Sequence, residues 1–158
     1  MNPQTDLGAI ARNIIDSIVY MALGTADENG KPWVSPVYFA SAAYREFYWI
    51  SSPDVRHSRN IALRPQVSIV VFDSQIPIGS GQAVYISALA EQVTGSDLNR
   101  SLGIYNGRFP KPAEHGVQEI TKQDVLAPAP YRLYRATASE HWVLDPAGHP
   151  DHRTAVTV

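Results

Sequence analysis

Apolar residues return every three or four positions from Leu7 through Ile10, Ala11, Ile14 and Ile15 to Ile18. That spacing puts them on one stripe of an amphipathic helix, which needs a sheet to pack on. Beyond Ile18 the period changes. Residues 18–26 are apolar and β-branched, D-E-N-G follows with Gly30 free to take positive φ, and residues 33–40 alternate, so the pattern predicts a hairpin. Pro36 sits inside the second arm and removes one ladder donor, which places that arm at an edge, at a bulge or beside a ligand. A turn over residues 43–46 leads to a third strand at 47–50, aromatic and β-branched, and the apolar run 67–72 makes a fourth. Residues 82–93 supply a fifth strand, and 131–137 with 140–144 a closing hairpin.

Between the third and fourth strands, Ser52 and Pro53 read as a helix start, and the helix stops at Arg64 because Pro65 cannot continue it. Residues 73–81 are a loop by composition. A second helix begins at Ser96 and Asp97 and runs to Gly107, with Leu98, Leu102 and Tyr105 as its apolar face. Residues 108–116, with two prolines and a glycine, are expected to be a mobile connection, and 121–126 one helical turn ended by A-P-A-P. Strands that follow one another through short turns make an antiparallel sheet, and closing it into a small barrel hides its edges. The fold class is α+β, mainly β: one domain over residues 1–145, helices over the mouth and one side of the barrel, and a polar tail at 146–158.

Composition narrows the function classes. At 158 residues and 44% hydrophobic the chain suits one domain with a sizeable core. No run approaches a membrane span, and M-N-P-Q-T-D has neither the basic start nor the apolar core of a signal peptide, so a cytoplasmic location without membrane contact is expected. The absence of cysteine removes disulfides, thiolate metal sites and cysteine nucleophiles together. A formal charge of −2 gives no basic field for nucleic acid, so any bound anion is held locally.

The start of the helix after Ser52 is where an anion would be held. Its free N–H groups and partial positive charge lie beside Ser51, Ser52, Arg56, His57 and Arg59, and a phosphate is the natural candidate. Asp54 shares the turn and would repel an anion on its own side, and the same residues equally describe an ordinary solvated helix. No G-x-S-x-G, H-E-x-x-H or P-loop is present. His149, Asp151 and His152 can be written as a metal site, but in a polar tail such a cluster is more often empty. Tyr105 and Arg108 can be drawn gripping a substrate, although a helix-face tyrosine beside a surface arginine is the commoner case.

The run D-E-N-G-K-P-W, F-Y-W-I-S-S-P-D-V-R-H-S-R-N-I, R-P-Q-V-S-I-V-V-F and G-Q-A-V-Y-I-S-A-L-A-E-Q-V resembles the pyridoxamine 5′-phosphate oxidase-like, flavin-binding split-barrel family over residues 18–93. R-L-Y-R and E-H-W-V-L-D resemble the family's closing hairpin. The resemblance implies a six-stranded antiparallel split β-barrel with flanking helices that forms a homodimer, with flavin mononucleotide (FMN) in clefts between the subunits. It implies that Ser35, Pro36, Val37 and Tyr38 belong to the segment whose backbone lines the flavin ring. Ile50 and Ser51 match the pair at the ring and ribityl chain. Arg56 and His57 match the basic pair on the phosphate, next to Ser52 at the helix start, and Gln82 matches the glutamine that bonds the flavin. Two departures stand out. Ser35 and Ala40 replace an arginine and a lysine of the true oxidase, and its C-terminal arginine and histidine have no counterpart, so this chain is not read as the vitamin-pathway oxidase. The implied activity is an FMN-dependent oxidoreductase acting on a small-molecule substrate. A deazaflavin-dependent reductase, or a non-catalytic flavin- or haem-binding barrel, is the alternative, because no acid or base in the sequence decides. Apolar surface at Trp33, Trp142 and the edge near Pro36 also points to a homodimer.

Overall fold

The computed structural model describes residues 6–109, 111–145 and 151–158. In chain order the elements are α1 (Leu7–Ser17), β1 (Tyr20–Ala26), β2 (Pro32–Tyr38), β3 (Ala40–Ala42), β4 (Glu46–Ser51), α2 (Arg56–Leu63), β5 (Gln66–Phe72), β6 (Ala83–Gln92), α3 (Asp97–Asn106), a 3-10 turn (Pro112–His115), α4 (Lys122–Val125), β7 (Arg132–Leu144) and β8 (Arg153–Val156). The strands form one antiparallel sheet in the order β2-β1-β5-β6-β7-β4-β3. β4 and β8 lie end to end along one side of β7, β4 beside its first half and β8 beside its last four residues. No described helix is long and apolar enough to cross a membrane.

Alternation decides what the sheet encloses. Met21 and Leu23 of β1, Ile69 and Val71 of β5, Val84 and Ile86 of β6, and Phe47 and Trp49 of β4 point inward, where Ala11 and Ile15 of α1 cover them. Tyr48, between the two inward residues of β4, faces the other way and packs with Leu98, Leu102 and Tyr105 of α3. Phe47, Tyr48 and Trp49 are therefore all fully buried. This explains the aromatic density of β4: it is sandwiched between two cores, whereas β2 is an edge strand, one of the settings Pro36 allows.

The structure departs from the sequence reading in four places. Eight strands form where the resemblance implies six, the additions to that set being the short β3 and the terminal β8. β8 lies within the segment read as a polar tail. The closing hairpin is one continuous strand, β7. Tyr134, Ala136 and Ala138 point inward, as does Val143, and the extra residue Ser139 shifts the phase between them. That slip in alternation, a β-bulge whose Ser139 hydroxyl donates to the Ser87 carbonyl at 3.0 Å, imitates the break a turn would make. Finally, α2 begins at Arg56 rather than after Ser52. His149 lies outside the described residues.

The last turns of chain and the first helix are interlocked. Gly8 is buried, and a Cβ there would stand 2.6 Å from the Thr157 carbonyl oxygen. Gly103 in α3, by contrast, has nothing within 4 Å of its Cβ position. Alanine normally stabilises a helix over glycine by about 0.5–1 kcal/mol. Gly103→Ala is therefore expected to raise the unfolding midpoint in urea, and Gly8→Ala to lower it. Equal gains from both substitutions would show that α1 and the C-terminal strand do not pack as described.

Candidate functional site

The chain leaves β4 at Ser51 and turns before α2. The Ser52 hydroxyl accepts from the Asp54 N–H at 3.2 Å, so it closes the turn instead of capping the helix. Val55 occupies the cap position and has no side-chain oxygen to offer. The first backbone bond of the helix runs from the Arg59 N–H to the Val55 carbonyl. The N–H groups of Arg56, His57 and Ser58 are thus left without a helical acceptor, which makes the start of α2 a receptor for negative charge.

His57 turns inward from this start and is only 8% exposed. Its Nδ1 lies 3.1 Å from the Ser35 hydroxyl on β2, and its Nε2 lies 2.8 Å from the Ser51 hydroxyl at the end of β4. β2 and β4 are not paired in the sheet, so this side chain bridges the split between them. Each hydroxyl can donate or accept, and either neutral tautomer satisfies both bonds. Burial holds the imidazole pKa below its ordinary value. The resemblance pairs His57 with Arg56 as basic groups on the phosphate; in the structure its ring is held by two hydroxyls and burial favours the neutral form, because charging it here would cost desolvation.

The fixed charge comes from Arg56. Its guanidinium carbon sits 4.4 Å from the centre of the Trp33 ring, and the indole N–H of Trp33 donates to the Ser35 hydroxyl at 3.0 Å. Arg59 spends a donor on the Asp54 carbonyl at 2.6 Å, and Arg64 spends one on the Glu28 carbonyl at 3.1 Å. Among the described residues the Arg56 guanidinium makes no hydrogen bond. Trp33 was expected only as interface surface. The signal that places it here was present in the alternation, since residues 33 and 35 of one strand share a face.

The remaining expected residues divide. Val37 is buried in the barrel core, Pro36 is exposed at the sheet edge, and Ile50 packs against the cluster beneath α3. Tyr38 has its ring edge-on to Tyr105 at 5.5 Å and stacked on Phe109 at 6.2 Å, and its buried hydroxyl has no hydrogen-bond partner. Burial raises its pKa, so it is a phenol with a proton to donate. Gln82 is not gathered with the others. It lies at the start of β6, with β5 and β1 between it and β2, and its buried Oε1 also lacks a partner. Arg108 is engaged within the chain: one of its Nη atoms donates to the carbonyls of Ile15, Asp16 and Ile18 at 3.0, 3.2 and 2.7 Å, closing the end of α1. Tyr105 is buried at 8% exposure, its pKa raised chiefly by that burial.

The family model described as pyridoxamine 5′-phosphate oxidase matches residues 9–141. No curated protein matches the chain in sequence. Among solved structures, the haem storage protein HutZ from Vibrio cholerae is 19% identical with a TM-score of 0.65, covering 86% of this chain and 92% of its own. A haem-binding protein from Mycobacterium smegmatis is 18% identical with a TM-score of 0.71, and this chain covers 99% of itself but 59% of that protein. An F420 reductase is 17% identical with a TM-score of 0.59, covering 88% of this chain and 97% of its own. At such identities the likeness to these structures is one of fold. The family model spans nearly the whole barrel, from α1 through the first ten residues of β7, and the chain belongs to the pyridoxamine 5′-phosphate oxidase-like split-barrel family.

Proposed function

We propose that the chain is an FMN-dependent oxidoreductase that acts on a small organic molecule and binds the cofactor phosphate at the start of α2. One observation carries the reading: the α2 arginine whose donors are unspent, Arg56, stands at the helix start that no side chain caps. The residues present fit a phosphate. Three backbone N–H groups, the Arg56 fork and the nearby hydroxyls of Ser51 and Ser52 offer donors to its oxygens. The phenol of Tyr38 and Oε1 of Gln82 are a buried donor and a buried acceptor still to be matched. A flavin, when bound, supplies the hydride chemistry; the protein orients it and keeps water out. A deazaflavin coenzyme carries a phosphate too and is the alternative cofactor, whereas haem, named for two of the similar structures, has none.

The proposal includes a second copy of the chain. Tyr20, Val34, Phe72 and Leu89 on the outer face of the sheet are 59%, 63%, 46% and 56% exposed. Ala22, Gly24, Pro36, Ser68 and Val70 lie among them, so the middle of this face is uncharged and too apolar for a free surface. Gln82, separate from the β2–α2 cleft in a single chain, would then join the site from the second copy. Sedimentation at micromolar concentration is expected to show a dimer, and Val34→Asp to shift it towards monomer with loss of bound cofactor. A wild-type monomer that still binds FMN would remove the second copy from the site.

Arg56→Ala is expected to weaken FMN about ten- to a hundredfold, the loss of one charge-assisted contact, while changing riboflavin affinity little. Quenching of flavin fluorescence measures both. Equal losses for the two ligands, with the fold intact by circular dichroism, would separate Arg56 from the phosphate. Wild-type protein that binds neither flavin, but gives a Soret band on addition of haem, would favour the haem-binding alternative.

A further inference from the structure

We infer that Trp33 is a positioning residue of the site, holding the Arg56 guanidinium in the orientation that captures the phosphate. The inference rests on the phosphate reading above and adds to it a residue to which the family resemblance gives no role. Three observations carry it. The Arg56 guanidinium lies with its carbon over the indole, 4.4 Å from the ring centre. Its N–H donors lie in the guanidinium plane, so stacking on an aromatic leaves the fork free for an oxyanion. The same indole is tied by its own N–H to Ser35 at 3.0 Å, and Ser35 to His57 at 3.1 Å, so the platform is fixed to the residue next to Arg56 on α2.

The physical effect is pre-organisation. A free arginine side chain loses rotamer freedom when a ligand orders it; one already stacked has lost most of it before the ligand arrives. The exposure of Trp33, 42% of its surface, fits this role. The ring is supported on one strand of the barrel, with the guanidinium covering part of the outward area. A tryptophan at this point could have served the outer sheet face alone. Its alternation with Val34, and its bond to Ser35, instead place it on the side of β2 that α2 covers.

The test is a double-mutant cycle read as FMN and riboflavin dissociation constants for wild type, Trp33→Leu, Arg56→Ala and the double variant, with Trp33→Phe as the conservative replacement. Trp33→Leu is expected to weaken FMN about three- to tenfold and riboflavin less than about twofold. It should add nothing in the Arg56→Ala background. Trp33→Phe keeps an aromatic face and should restore FMN affinity to within about twofold of wild type. An equal loss in the Arg56→Ala background, a loss shared by riboflavin, or a phenylalanine variant as weak as the leucine one would each overturn the positioning role while leaving the phosphate site standing. Wild-type protein that does not prefer FMN to riboflavin would overturn the phosphate reading and this inference with it.

Discussion

The two ring nitrogens of His57 reach Ser35 on β2 and Ser51 on β4, and the form of the site follows from that pair of hydrogen bonds. β2 stands at one end of the sheet and β4 near the other, so the imidazole supplies across the split the contact that a strand ladder supplies elsewhere. A buried polar group must be satisfied or it destabilises the fold, and here both nitrogens are. Burial also favours the neutral ring. Positive charge at the start of α2 therefore falls to the helix terminus and Arg56, and Trp33, bound to the same Ser35, holds that arginine in place.

The departures from the oxidase pattern gain a physical sense in this arrangement. The resemblance gives arginine at the position of Ser35 and a basic pair at Arg56 and His57. In this chain Ser35 and His57 touch each other, so the change at Ser35 makes room for the imidazole. A serine is short enough to let the imidazole reach between the strands, and an imidazole is the side chain that can bond hydroxyls at both of its ends. Positive charge is exchanged for a neutral bridge. The family fold is unaffected, because the core aromatics of β4 and the alternating residues of β1, β5 and β6 supply its burial.

What was legible in the sequence was whatever repeats with a period. The stripe from Leu7 to Ile18, the apolar runs of β1 and β5, the alternation of β2, and the limit Pro36 sets on β2, to an edge, a bulge or a ligand, all follow from spacing and backbone chemistry. So did the clustering of Ser51, Arg56 and His57 with Ser35, given the resemblance. Four features were not legible. Ser139 breaks the alternation of β7 by one residue, and a phase slip looks the same as a turn until the partner strand is known. Ser52 is a good capping residue by type, but its hydroxyl is used by Asp54 one step before the helix begins. The charge state of His57 and the placement of Arg108 depend on burial, which arises from contacts between distant parts of the chain.

Phosphorus NMR of FMN bound to the protein, recorded from pH 5 to 8, tests most directly whether the phosphate sits at this helix start. A free phosphate monoester takes up its second proton near pH 6. Held by uncapped N–H groups and Arg56, the dianion should give one displaced resonance that stays fixed through that range, because both partners favour the charged form. A bound resonance that moves with pH as free FMN does would contradict the account.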